Sequence, residues 1–286
     1  MRRSLPAAHA GRPMAGLRFD LSPKALDTWN PGIKAAASDD NNITIFDVIG
    51  EDYWTGEGVT AKRIAGALRA IGDKDVTVLI NSPGGDMFEG LAIYNLLREH
   101  SGRVTVKVLG VAASAASIIA MAGDEVQVAR AGFIMIHNAW IMAAGNRHDF
   151  REFAEYLEPF DASMADIYAA RTGSDLKAMQ ALMDGESWIG GSSAIEQGFA
   201  DSLLASDEVQ EGDDKPAAMA VRRVENALRA SGMPRTEAMR LISEFKATLR
   251  DAGGNGERDA TSSEYRPDGS VSALSSTLSI ANFIKG

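Results

Sequence analysis

The sequence predicts an α/β fold built on a parallel sheet, and two patterns carry this prediction. Short runs of apolar and β-branched residues, each of strand length, recur between residues 43 and 137. Segments whose apolar residues are spaced by three and four positions, as in amphipathic helices, separate these runs. Strands and helices that alternate at such spacing form parallel βαβ units with right-handed crossovers.

Each predicted element rests on a local pattern. The run 76–80 is almost entirely apolar, which is typical of a strand buried on both faces. The helix before it has apolar residues at 64, 68 and 71 and ends at Gly72, a residue that commonly terminates helices. The predicted strands are 43–50, 76–80, 104–109, 125–129 and 133–137, and the predicted helices are 59–72, 88–100, 114–121, 150–171 and 192–197.

The flanks differ from this core in composition. The N-terminal segment is rich in Ala, Pro and Gly, without periodicity, and the chain beyond about residue 207 begins with an acidic linker. Two amphipathic helices, 217–230 and 235–250, follow the linker, and the Gly/Ser/Asp-rich tail from Gly253 is expected to be disordered. The predicted organisation is a flexible arm at 1–38, a domain at 39–207 and a C-terminal extension at 208–286.

The composition excludes several kinds of chemistry. The 286 residues include no cysteine, which rules out disulfides, thiolate nucleophiles, Cys-ligated zinc and iron–sulfur clusters. The net charge of −10 argues against nucleic acid as the main partner. No apolar segment of signal-peptide length follows the N-terminus, and the uncharged run 108–123 is short for a membrane span. We therefore expect a cytoplasmic protein without a membrane, nucleic-acid, metal or cofactor site.

Ser114 is the candidate nucleophile. It lies in Gly110-Val-Ala-Ala-Ser114, after a predicted buried strand and at the start of a helix. Open α/β sheets place their sites at the carboxyl ends of strands, and the helix N-terminus adds a positive dipole end. The surrounding small residues let a substrate backbone approach, although they equally suit close helix–sheet packing alone. The run is not the G-x-S-x-G elbow of the α/β-hydrolases, and Ser117 is expected to be structural.

A second candidate feature is the turn Asn81-Ser-Pro-Gly84-Gly85-Asp, which also follows a strand. Two adjacent glycines allow backbone N–H groups to point at a ligand, as an oxyanion hole requires. The alternative is an ordinary Pro-Gly turn. No G-x-x-x-x-G-K-[ST] motif occurs, so the chain is not its own ATPase of the P-loop type.

A serine nucleophile needs a base, and His137 is the best placed of the four histidines. It ends an apolar strand, whereas His9 lies in the arm, His100 at a helix end and His148 in a polar loop. A third group should orient the imidazole, and two carboxylates, Asp184 and Glu186, precede the run Ser-Trp-Ile. Either carboxylate could equally be a surface group that caps the next helix.

These features, in this order, resemble the proteolytic subunit of the Clp protease, a family of serine peptidases, over roughly residues 41–204. The resemblance is especially close for the phage and prophage members, including head maturation proteases. The motifs that carry it are Ile80-Asn-Ser-Pro-Gly-Gly85, Gly110-Val-Ala-Ala-Ser114, Ile136-His137-Asn138, Arg171-Thr-Gly173 and Ser193-Ala-Ile-Glu-Gln-Gly-Phe-Ala-Asp201.

The resemblance implies a role for each candidate. It implies a ClpP/crotonase-like repeated ββα core with a helical handle, a nucleophile at Ser114 and a base at His137. The family's aspartate falls on Glu186, a departure that lengthens the side chain by one methylene, and Asp184 is the fallback. Ala115 replaces a residue that is often methionine in the family. The oxyanion donors are carried over as backbone groups, at Gly85 and Ala115 with Gly84 beside them.

The resemblance also implies a ring-shaped homo-oligomer that hydrolyses polypeptides without a cofactor, with unfolding supplied by a separate AAA+ ATPase. A role in phage prohead maturation, with a capsid or scaffold protein as partner, is a further expectation. Three alternatives remain open: a crotonase-like enzyme acting on CoA thioesters, a Ser–Lys dyad peptidase, and a capsid-assembly or scaffold protein with a secondary peptidase role. The first of these shares the α/β core and the backbone oxyanion hole but lacks the serine–histidine pair.

Overall fold

In a computed structural model, residues 21–35, 39–51, 58–205, 209–211, 216–231 and 233–254 are described. The chain divides into two compact units, residues 1–242 and residues 243–286. The first unit contains the sheet and the helices packed on it, and the described part of the second is the end of a helix. No helix within the described ranges has the length and apolar character needed to cross a membrane.

The secondary structure alternates along the chain much as predicted. The strands are β1 (Ile33–Ala35), β2 (Asn42–Ile45), β3 (Val76–Ser82), β4 (Val104–Ala113), β5 (Glu125–Val128), β6 (Phe133–Ile136), β7 (Ser187–Gly190), β8 (Ser202–Leu203) and β9 (Val209–Glu211). The helices are α1 (Pro23–Thr28), α2 (Ala61–Ile71), α3 (Met87–Glu99), α4 (Ala115–Ala120), α5 (Arg147–Thr172), α6 (Leu176–Asp184), α7 (Gly191–Glu196), α8 (Pro216–Ala230) and α9 (Arg235–Gly254).

The main sheet confirms the predicted α/β class. Its strands run in the order β2-β3-β4-β5-β8, and each neighbouring pair is parallel. β6 is parallel to the last part of β4, and β7 is antiparallel to β6. The antiparallel β7 was not predicted, because a four-residue strand of sequence Ser-Trp-Ile-Gly is too short to show a period.

One face of the sheet is covered by helices, and their apolar side chains join those of the strands in one continuous core. α2 illustrates how the sequence specifies this arrangement. Its buried residues are Ile64 and Leu68, and the Thr60 hydroxyl accepts the N–H of Arg63 at 3.2 Å, which caps the first turn. Gly72 ends the helix, as predicted, with φ +73°, a conformation that glycine adopts without strain.

The opposite face of the sheet is covered by residues 21–35. Leu26 and Trp29 are buried, with exposed fractions of 1% and 3%, and the Trp29 indole N–H donates to the Asn81 carbonyl at 3.0 Å. β1 pairs with β9 in a separate two-stranded sheet. The prediction of an arm without regular structure is therefore wrong for residues 21–35, whose apolar residues are too few to show a period. Residues 1–20 and 36–38 lie outside the described residues.

The C-terminal extension contains the two predicted helices, α8 and α9. Pro234 directly precedes α9, and its carbonyl accepts the N–H groups of Glu237 and Ala238, each at 3.0 Å. Part of the predicted linker forms β9 instead of remaining irregular. The predicted disordered tail is described only as far as residue 254, and residues 255–286 lie outside the described residues.

Candidate active site

The carboxyl ends of β3, β4 and β6 meet at one place, and this is where the predicted site residues lie. The β3–β4 pairing shifts register there: Ile80 pairs with Val108, but Ser82 pairs with Ala112. Gly110 lies in the extra length of β4, where a Cβ atom would come within 2.6 Å of the Asn81 Oδ1 atom. A glycine in the Gly110–Ser114 motif therefore makes room for a buried asparagine side chain.

Asn81 uses that room to connect three segments. Its side-chain oxygen accepts the N–H of Val111 at 3.2 Å, and its side-chain nitrogen donates to the carbonyls of Asn30 at 2.7 Å and Ile33 at 3.1 Å. Asn81 is fully buried, and both its side-chain oxygen and its side-chain nitrogen are hydrogen-bonded. The N-terminal segment is thus joined by hydrogen bonds to the strand that leads to Ser114.

Ser114 and His137 are brought together by the ends of β4 and β6. The His137 Nε2 atom lies 2.7 Å from the Ser114 Oγ atom, a hydrogen-bond distance. Ser114 has φ +54° and ψ −124°, a backbone conformation that few non-glycine residues adopt. Such conformations persist where the surrounding structure determines them and are frequent at functional sites. Here the Ser114 N–H donates to the Met135 carbonyl at 2.9 Å, which ties the two strand ends together.

The buried environment of His137 favours the neutral form of its imidazole. The residue is 9% exposed, and this burial lowers the pKa of His137 below its ordinary value. The negative charge of Glu186 acts in the opposite direction and raises the pKa in part. Burial is the larger effect. A neutral imidazole whose Nε2 atom faces a serine hydroxyl can accept the proton of that hydroxyl.

The glycine turn after β3 packs directly against Ser114. Gly84 has φ +90°, and a Cβ atom there would lie 2.5 Å from the Ala113 carbonyl oxygen and 2.8 Å from the Ser114 Cβ atom. The turn is held by hydrogen bonds between Ile49 N–H and the Gly84 carbonyl, 2.8 Å, and between Asp86 N–H and the Ile49 carbonyl, 2.9 Å. The Gly85 N–H lies between these two bonds and has no acceptor among the described residues.

Ala115 is the first residue of α4, so its N–H has no acceptor within the helix. A Cβ atom on Gly84 would lie 3.2 Å from this nitrogen, which shows how closely the glycine turn approaches it. Gly84 thus brings the glycine turn against both the Ser114 side chain and the Ala115 N–H.

The two candidate acids have different partners. Glu186 Oε1 lies 3.0 Å from the Lys24 Nζ atom and accepts the Trp188 indole N–H at 3.4 Å. No hydrogen bond joins Glu186 to His137 within the described residues. Asp184 accepts the side-chain N–H of Asn138 at 2.8 Å. The choice between Glu186 and Asp184 stays a prediction, although the charge of Glu186 raises the pKa of His137.

The segment that follows His137 is anchored by carboxylates from two helices. Besides the bond from Asn138 to Asp184, the Ala139 N–H donates to Asp161 Oδ1 at 2.6 Å. Burial raises the pKa of Asp161 to about 6, partly offset by the bond from Ala139, while Asp184 and Glu158 raise it slightly further. Sequence reasoning missed Asp161, since an aspartate in the middle of a helix gives no signal of its contacts.

The remaining histidines lie away from Ser114 where they are described. His100 Nε2 is 2.8 Å from the Lys74 carbonyl oxygen, and His148 is exposed in the first turn of α5. His9 lies outside the described residues. Among the described residues, no group of three or more His, Asp or Glu side chains is arranged to hold a metal ion.

Comparison with known proteins identifies the family of this chain. A family model described as Clp protease matches residues 59–207. The ATP-dependent Clp protease proteolytic subunit of Bacteroides fragilis is 30% identical over 133 residues, which is 46% of this chain and 64% of that protein. Proteolytic subunit 3 of Rhodococcus jostii is 29% identical over 136 residues, 46% of this chain and 67% of that protein.

Among solved structures, a mutant of ClpP1 from Listeria monocytogenes is 21% identical, with a TM-score of 0.49, over 59% of this chain and 93% of that one. The match to the Bacteroides fragilis protein covers a little less than two thirds of that protein's length. The family model covers more than half of the 286 residues, including every predicted site residue. This chain therefore belongs to the Clp protease family.

Proposed function

We propose that this chain is a serine-type endopeptidase that cleaves polypeptides through an acyl-enzyme intermediate. Ser114 Oγ attacks the substrate carbonyl while His137 Nε2 takes its proton. The N–H groups of Gly85 and Ala115 bind the oxyanion of the tetrahedral intermediate. His137 then returns the proton to the leaving amine, and water releases the acyl group from Ser114 by the reverse sequence.

The observation that supports this proposal most strongly is the 2.7 Å contact between Ser114 Oγ and His137 Nε2 at the start of α4. A crotonase-like enzyme would use the backbone donors but would not need the serine–histidine contact. A Ser–Lys dyad would need a lysine at Ser114, and Lys24 instead contacts Glu186. Glu186 is the proposed third member of the triad, with Asp184 as the alternative.

The assembly and biological setting are part of the same proposal. The relatives are named as subunits of an ATP-dependent protease, so a ring of identical subunits with a separate AAA+ unfoldase is proposed for this chain as well. α5, a helix of 26 residues, is the proposed handle between rings. A role in phage head maturation, with α8 and α9 contacting a capsid or scaffold protein, is the proposed use of the extension.

The test combines oligomeric mass with peptide hydrolysis on one size-exclusion peak. The wild-type protein is expected to elute as a multiple of the 30.4 kDa chain and to hydrolyse a fluorogenic peptide in the same fractions. Ser114→Ala should keep the mass and lose the activity. Ser101→Ala, which changes a serine in the turn after α3, is the matched control and should keep both. Equal activity of Ser114→Ala and wild type would refute the proposal.

A further inference from the structure

Ser117 lies one helical turn after Ser114 and is fully buried, with contacts that go beyond packing. Its hydroxyl donates to the Ser114 carbonyl oxygen at 2.6 Å, and the backbone N–H groups of Ser117 and Ile118 donate to the same oxygen at 2.9 and 3.3 Å. On its other side, the hydroxyl lies 2.7 Å from the phenol oxygen of Tyr168, in α5. A chain of hydrogen bonds therefore runs from α5 to the carbonyl of the candidate nucleophile.

The chemistry of the three groups determines which one donates in each of these hydrogen bonds. A carbonyl oxygen can only accept, so the single hydroxyl proton of Ser117 is used on Ser114. The Tyr168 hydroxyl must then donate to the Ser117 oxygen. Burial raises the pKa of Tyr168, so the phenol keeps the proton that it donates. The hydroxyl protons of Ser117 and Tyr168 are thus both used in hydrogen bonds, which hold both hydroxyl groups in one orientation.

The oxygen held in this way belongs to the peptide unit that also contains the Ala115 N–H. A trans peptide is planar, and its C=O and N–H point in opposite directions. None of the described peptide bonds is cis. Fixing the Ser114 carbonyl therefore fixes the direction of the Ala115 N–H. The ψ of −124° at Ser114, which sets the tilt of this plane, is far from the helical value of the residues that follow.

We infer that Ser117 and Tyr168 are positioning residues that aim the Ala115 N–H at the oxyanion. This inference rests on the proposed peptidase function and adds a buried hydroxyl pair to its machinery. Because a misdirected donor affects the charged intermediate more than the neutral substrate, the pair acts on the transition state. Substrate binding in the ground state is left nearly unchanged.

Two conservative variants separate this role from simple packing. Ser117→Ala keeps the Ser117 N–H bond to the Ser114 carbonyl, so kcat should fall by about tenfold, less than the loss for a deleted oxyanion donor. Tyr168→Phe leaves the Ser117 hydroxyl bond in place and should lower kcat by about threefold. The double variant should lose no more than Ser117→Ala alone, because both hydroxyls act through one bond.

The experiment measures kcat and KM for a fluorogenic peptide and the inhibition constant of a peptide boronate, which forms a tetrahedral adduct on a serine. In Ser117→Ala, boronate affinity should fall in parallel with kcat while KM stays within about twofold of wild type. Tyr94→Phe, which removes a hydroxyl from an equally buried tyrosine in α3, is the matched control and should match wild type. Melting temperatures measured alongside separate unfolding from misalignment.

The inference is overturned if Ser117→Ala keeps both kcat and boronate affinity, or if its loss lies in KM or in the folded fraction. Failure of the proposed function is recognised separately. In that case the wild-type protein itself neither hydrolyses the peptide nor binds the boronate, before any variant is compared.

Discussion

The two sides of the candidate site are built differently. On the nucleophile side, Ser114 and His137 are linked at 2.7 Å, and the groups behind them, Ser117 and Tyr168, are almost completely buried. On the acid side, the Glu186 side chain is 30% exposed, and its partner Lys24 is 67% exposed. Exposed ion pairs contribute little to stability, typically below about 1 kcal/mol, so the acid side can rearrange at small cost.

This difference indicates how the site is organised. On the nucleophile side, Gly84 packs so closely against Ala113 and Ser114 that a methyl group added to it would have no space. These backbone contacts preorganise the nucleophile side. The acid side depends on the side chain of Glu186, which forms an ion pair with Lys24 of the N-terminal segment. We therefore expect substitutions on the nucleophile side to have large effects and those around Lys24 to have small ones.

Gly84→Ala should cause the largest loss. The new Cβ atom would lie 2.5 Å from the Ala113 carbonyl oxygen, and φ +90° disfavours any residue but glycine. Activity should fall by about a thousandfold because both Ser114 and the proposed oxyanion donor at Ala115 would move. The free energy of unfolding should fall by on the order of 2 kcal/mol. Gly66→Ala is the control: it lies inside α2, where an added Cβ atom would meet only the Arg69 Nη2 atom at an ordinary contact distance of 3.9 Å, and it should stabilise the protein by about 0.5 kcal/mol. Wild-type activity in Gly84→Ala would refute the preorganised nucleophile side.

Glu186→Gln and Asp184→Asn distinguish the two candidate acids. If Glu186 orients and stabilises the imidazolium, its amide variant should lower kcat by about a hundredfold. Asp184→Asn keeps an acceptor for the Asn138 side chain and should lower kcat by about threefold. Steady-state kinetics on the two proteins gives the ranking. A larger loss in Asp184→Asn would assign the acid role to Asp184.

Lys24→Met tests the contact between the N-terminal segment and the acid. Removing the ammonium leaves the charge of Glu186 free to act on His137, which favours the imidazolium and raises its pKa. The acid limb of the pH–rate profile should move to higher pH, with kcat changed by less than about threefold. Lys177→Met, an exposed lysine of α6, should leave the profile unchanged. A downward shift in Lys24→Met would contradict the proposed coupling.

The sequence predicts the nucleophile side well because its signals are local. Gly110, Ser114 and the glycine turn are adjacent to strands whose apolar runs are unmistakable, so their position at the carboxyl ends of the sheet follows directly. His137 is the expected partner of Ser114 because it ends a predicted strand, whereas the other three histidines lie in the arm, at a helix end and in a polar loop. The conformation of Ser114, with φ +54°, could not be read from residue types.

The acid side and the N-terminal segment are harder to predict for physical reasons. Residues 21–35 are held by single long-range contacts, such as the bond from Trp29 to Asn81, 52 positions apart. Such contacts leave no periodicity in the sequence. Glu186 has φ +46° in a short turn between α6 and β7, and the direction of its side chain depends on Lys24 and Trp188. The role of Ser117 beyond packing was missed because its partner Tyr168 is 51 positions away.

The central claim is that Ser114 is a nucleophile activated by a neutral, buried His137. It is tested most directly by the rate of fluorophosphonate labelling as a function of pH, with the labelled residue identified by peptide mass spectrometry. Because burial lowers the pKa of His137, the base is protonated and inactive only at low pH. We expect one adduct, on Ser114, formed at a rate that rises with pH through a midpoint below the ordinary pKa of a histidine. An adduct on another residue, or a rate without such a midpoint, would contradict the account.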